Sequence, residues 1–74
     1  MSYKEEKEYE TIEDDIAALE EAIEQTDKDI LANSNDFVKL NELTQKKEDL
    51  SAQLSEKLDR LMYLEELAAE ISGN

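Results

Sequence analysis

Residues 33–36 read Asn33-Ser34-Asn35-Asp36, four consecutive weak helix formers in a chain otherwise built from strong ones. Asn, Ser and Asp side chains compete with the helix ladder by bonding nearby backbone, so they favour caps and turns. The quartet predicts a break at residues 33–36, with Asn35 or Asp36 capping the helix that follows. A break of that length between two helices predicts an antiparallel hairpin. One uninterrupted helix pairing with a second chain is the competing geometry.

On the N-terminal side, apolar residues recur as Tyr9, Ile12, Ile16, Leu19, Ile23 and Ile30, with Thr26 on the missing rung. Steps of three and four make this a heptad seam. Ser2 and Glu5 have the spacing of a capping box, so a first helix is expected over about 3–32. On the C-terminal side the seam reads Leu40, Leu43, Lys47, Leu50, Leu54, Leu58, Leu61, Leu64 or Glu65, Ala68 and Ile71. That predicts a second helix over about 37–72, with Gly73 at the position after its end. The step from Leu54 to Leu58 reads as a stutter that locally unwinds the supercoil. Folding back at the turn sets Ile30 opposite Leu40, Ile23 opposite Lys47, Ile16 opposite Leu54, Ile12 opposite Leu58 and Tyr9 opposite Leu61, with the register open by half a heptad. The expected fold class is all-α, a two-helix antiparallel coiled-coil hairpin, as one domain over 1–74. Its expected length is about 45 Å at a rise of 1.5 Å per residue.

Composition narrows the function. The 74 residues hold no Cys, His, Trp or Pro and one Gly. Structural zinc and imidazole-bound metals therefore lack ligands. Ser-His and Cys-His nucleophiles lack members, and no glycine-rich phosphate loop can form. Twenty-one acids against eight bases give a net charge of −13. That balance disfavours direct contact with nucleic acid or anionic lipid. Disorder competes as a reading of so charged a chain, but the apolar residues are periodic. No apolar run approaches a membrane span and the start lacks a signal-peptide core, so the expected location is cytoplasmic.

Acidic clusters at Glu13-Asp14-Asp15, Glu20-Glu21-Glu24 and Glu65-Glu66 fall between seam positions and read as solvated faces. No catalytic, cofactor-binding or metal-binding residue is assigned, and no enzymatic role is expected for this stretch. The candidate partner contacts are Lys46, Lys47, Lys57 and Arg60, the one basic concentration in the chain. Glu48, Asp49, Glu56 and Asp59 interleave with them, so pairing within the helix is expected. Lys47 on the seam reads as a stem packed on the core with its ammonium reaching water. Tyr3 and Tyr9 are expected to fold over the open end beside Tyr63, and Phe37 to staple the entry of the second helix.

The opening Ser2-Tyr3-Lys4-Glu5-Glu6-Lys7-Glu8-Tyr9-Glu10 resembles the S-Y-K-E-x-x-E-Φ-E start of a known family. This is the C-terminal coiled-coil domain of ABC-F proteins, soluble twin ATPases that include Uup. The resemblance continues through Ile12-Glu13, Asp36-Phe37, the Leu40-to-Leu54 segment and Asp59-Arg60-Leu61-Met62-Tyr63-Leu64-Glu65-Glu66-Leu67. Two departures are Leu61 where the family often has Trp, and the lack of a Lys-rich linker before Ser2.

The resemblance implies an excised end of a longer chain whose ATP and Mg sites lie upstream. It implies a non-catalytic interaction module at the C-terminus of an ABC-F ATP-binding protein, with the ribosome or nucleic acid as partner and a link to translation control. DNA binding, as linked to Uup-type proteins, is one alternative. A structural coiled coil that oligomerises through the Leu61–Leu67 end is another. No membrane partner is expected, and the chain is expected as a monomer or weak homodimer.

Overall fold

The computed structural model describes residues 2–72, with side chains from residue 2 to residue 70. It contains two helices, α1 (Tyr3–Ala32) and α2 (Phe37–Ser72), packed side by side as an antiparallel hairpin. No strand occurs among the described residues. The long axis measures 58 Å and the cross-section 18 × 14 Å. Its length exceeds the 45 Å expectation because α2 has 36 residues against 30 in α1. The reading of Gly73 and the seam role of the Ile71 side chain lie outside the described residues.

α1 starts where its sequence caps it. The Ser2 backbone N–H donates to Glu5 Oε1 at 2.9 Å, and the Glu5 N–H donates to Ser2 Oγ at 3.2 Å. Two of the donors that a helix start leaves unpaired are thereby satisfied reciprocally. At the other end the Asn33 N–H donates to the Asp29 and Ile30 carbonyls, and Asn33 Nδ2 donates to the Asp29 carbonyl at 2.8 Å. The chain then reverses without any positive φ among the described residues. Asp36 N–H donates to the Asn33 carbonyl at 3.0 Å. Asp36 is the residue that caps α2: its Oδ1 accepts from the Lys39 N–H at 3.1 Å and its carbonyl accepts from Leu40 N–H.

Burial is concentrated towards the open end, where the N-terminus of α1 meets the second half of α2. Ile12 and Leu64 are fully enclosed and Ile16 nearly so, with Leu54, Leu61 and Leu67 packed against them. Enclosing a side chain of this size contributes about 1.5–3 kcal/mol. Nearer the turn, Leu43 and Thr26 are buried. Thr26 Oγ1 donates to the Ala22 carbonyl at 2.7 Å, so the one buried polar side chain among the described residues is paired within its own helix.

Three readings change at this level. Lys57, not Leu58, takes the rung between Leu54 and Leu61: Lys57 is half-buried while Leu58 is 43% exposed. The three-four rhythm therefore continues through 54, 57, 61 and 64, and the stutter disappears. A lysine can occupy that rung because its aliphatic stem packs while its ammonium reaches out. Near the start of α1, Glu8 is half-buried while Tyr9 is 36% exposed and Tyr3 largely exposed, so the tyrosines do not close the end. Phe37 is 82% exposed and staples nothing.

Candidate functional site

Each candidate cation sits on α2, and its place follows from the rhythm of the seam. Lys47 and Lys57 occupy seam rungs, and Arg60 flanks Leu61 and Leu64. Their stems lie against α1 and their charged ends emerge along its edge. Lys47 Nζ lies 2.6 Å from Asp27 Oδ1 and Lys57 Nζ 3.4 Å from Asp15 Oδ2. Arg60 Nε donates to Glu8 Oε2 at 2.8 Å. The pairing expected within α2 is therefore replaced by pairing between helices. It is favoured because α1 carries twelve acids against three bases, a net of −9, while residues from Asn33 onward net −4. Intrahelical pairs occur instead in α1, as Lys7–Glu10 and Lys28–Glu24.

All three cross-helix pairs keep partial exposure on both sides, so each contributes modestly to stability. Their effect on function is larger. A cation already facing a carboxylate offers less charge to a phosphate. Lys46 differs, being exposed and making no ion pair among the described residues. The four candidates thus divide into three cations engaged across the hairpin and one facing water.

The Arg60 contact belongs to a larger cluster at the open end. Its guanidinium also lies 4.8 Å from the centre of the Tyr63 ring. Tyr63 Oη donates to Glu5 Oε2 at 3.3 Å, so the capping carboxylate of α1 is also tied to α2. The Ser2 backbone donor, with smaller help from the Ser2 hydroxyl and Tyr63, holds the Glu5 carboxyl below its ordinary value. The hydrogen bond to Glu8 is the main reason the Arg60 guanidinium is held even more firmly protonated than usual. This cluster of Glu5, Glu8, Arg60 and Tyr63 escaped the reading of sequence. Only the helix-to-helix register brings its members together, across 52 and 58 residues of chain.

The acidic clusters at Glu13-Asp14-Asp15, Glu20-Glu21-Glu24 and Glu65-Glu66 are all exposed. Among the described residues no group of three acidic side chains is placed to hold a metal ion. A shallow groove lined by Asp15, Ala18, Leu19, Gln53 and Lys57 runs between the helices, with the Lys57–Asp15 pair as its wall. Neither described helix is long and apolar enough to cross a membrane.

The profile of the ABC transporter C-terminal domain matches residues 1–66. The chain belongs to that family. A curated relative, an uncharacterized ABC transporter ATP-binding protein named YfmR from Bacillus subtilis strain 168, is 38% identical over 73 residues. The match takes in 99% of this chain and 12% of that relative, so the chain spans about an eighth of the relative's length. No solved structure matches. This chain is accordingly an ABC transporter C-terminal domain, similar to one segment of an ABC transporter ATP-binding protein. Within the ABC transporter C-terminal domain, the capping box, the Asp36 turn and the Arg60-Tyr63 cluster all fall inside the matched residues.

Proposed function

We propose that this domain is a non-catalytic docking module of an ABC-F-type ATP-binding protein, and that it contributes to association with the ribosome and so to control of translation. The nucleotide and magnesium chemistry belongs, in this reading, to upstream domains. One observation carries it: Lys47, Lys57 and Arg60 are turned onto Asp27, Asp15 and Glu8 of the same hairpin. What remains outward is an acidic rod, which suits a protein surface better than a bare phosphate backbone.

Deleting residues 2–72 from the full-length protein should weaken its co-sedimentation with ribosomes while leaving its ATP hydrolysis in place. Equal co-sedimentation with and without the segment defeats the reading.

Direct DNA binding has one observation in its favour, Lys46, which is exposed and makes no ion pair among the described residues. Titration with duplex and single-stranded DNA at low salt tests it. No salt-sensitive binding is expected at submillimolar concentration, because Lys4, Lys39 and Lys46, the cations without an ion pair among the described residues, are spread along the hairpin and release too few counterions to hold a polyanion against −13.

A further inference from the structure

The tip of the hairpin carries an apolar surface that the fold does not use. Leu31 is 77% exposed, Phe37 82% and Val38 70%. Leu31 follows the seam residue Ile30, and Phe37 and Val38 precede the first seam residue of α2, Leu40. All three therefore bracket the turn without facing the partner helix. Scattered single apolar side chains on a surface are ordinary, whereas several large ones gathered at one extremity mark a contact. The backbone beneath them is fixed by the Asp36 cap and the Asn33 bonds, so little ordering is left to be done on docking.

Charge selects the occupant. A second copy would bring a like-charged tip and shaft against this one, and polyanions or anionic lipids are repelled for the same reason. The charged side chains nearest the tip are Asp27, Asp29, Asp36 and Glu42 against Lys28 and Lys39. Lys28 is drawn back to Glu24 at 3.9 Å and Asp27 is engaged by Lys47 at 2.6 Å, which leaves Asp29, Asp36 and Glu42 against Lys39. What complements an apolar tip in an acidic frame is an apolar pocket rimmed by lysine and arginine. Such a partner is a protein, with Phe37 as the aromatic anchor.

We propose that Leu31, Phe37 and Val38 dock the hairpin tip into an apolar pocket on a basic protein surface. This rests on the docking-module reading and adds the place and the chemistry of the contact.

The test uses the full-length protein and purified bacterial ribosomes, with deproteinised ribosomal RNA as a second arm. Leu31, Phe37 and Val38 are changed together to Ala, which keeps helix propensity at exposed positions. Met62→Ala, exposed at the other end, is the control. The triple variant should bind ribosomes about tenfold more weakly, with Met62→Ala unchanged. A photoreactive phenylalanine analogue at position 37 should cross-link to a basic ribosomal protein.

If deletion of residues 2–72 abolishes ribosome binding but the triple variant binds normally, the tip inference falls and the docking reading stands. If the deletion changes nothing, both fall. Equal affinity for deproteinised RNA, a cross-link to RNA alone, or tip-dependent self-association in sedimentation also overturns the inference.

Discussion

Arg60 Nε and Glu8 Oε2 stand 2.8 Å apart across the hairpin, with the guanidinium 4.8 Å from the Tyr63 ring. The pair joins the fourth turn of α2 from its end to the second turn of α1. Arg60→Gln should lower the thermal midpoint of the helical signal, and Arg60→Lys should recover only part of the loss. A lysine supplies the charge but not a planar group able to donate to Glu8 and lie over Tyr63 together. Equal melting of Arg60→Lys and the unvaried chain in circular dichroism would show that charge alone matters there.

Ile12 and Leu64 are fully enclosed, whereas Leu58 is 43% exposed. Ile12→Ala and Leu64→Ala should each cost about 2–5 kcal/mol. Leu58→Ala should stay within about 0.5 kcal/mol. Denaturant titration ranks the three. A loss at Leu58 as large as at Leu64 would return Leu58 to the seam and restore the stutter.

Thr26 is buried on the seam, with its hydroxyl bonded to the Ala22 carbonyl of its own helix. That carbonyl also accepts the ordinary helical bond, so removing the hydroxyl orphans nothing. Thr26→Val places a methyl group in the seam and should stabilise the hairpin by about 1 kcal/mol. In a domain this small, that shift corresponds to a midpoint about 4–8 °C higher. A lower midpoint would mean that the hydroxyl has a role beyond its own turn.

Glu5 has its carboxyl held below the ordinary value of 4.5, chiefly by the Ser2 backbone donor. A depressed folded value means that the ionised carboxylate stabilises the fold above the unfolded value. That contribution is lost as the pH falls from 4.5 through the folded value. Glu5→Gln should therefore melt below the unvaried chain at neutral pH, and the gap should close on acidification. The comparison has to be made between the two chains at each pH. Acid also relieves the repulsion of the −13 charge, which lifts both curves together. A gap constant from pH 7 to pH 3 would exclude the capping carboxylate as its source.

The sequence made some of this plain. The Ser2-to-Glu5 spacing and the Asn33–Asp36 quartet are local features, and their hydrogen bonds close within three or four residues. The α1 seam from Ile12 to Ile30 is legible for the same reason, since apolar side chains mark it directly.

Apolarity misled at Leu58 and Tyr9. There the rhythm of three and four overrides the identity of the side chain, and long polar side chains at Lys57 and Glu8 take the inner rungs. Cross-helix ion pairs were beyond reach, because a shift of one turn decides which carboxylate a cation meets. The register rule sets Lys47 opposite Ile23, and the structure pairs it with Asp27, one turn further. At the tip, Phe37 has the spacing of a staple, yet its side chain points to water.

The double tie of Glu5 to Tyr63 and of Glu8 to Arg60 has a mechanical side. It clasps the two strokes of a rod 58 Å long at the end opposite its turn. Ties at that end oppose sliding of one helix past the other. Phe37 lies at the far end of the long axis, so any tilt of the hairpin about its clasped end would carry Phe37 through the widest arc.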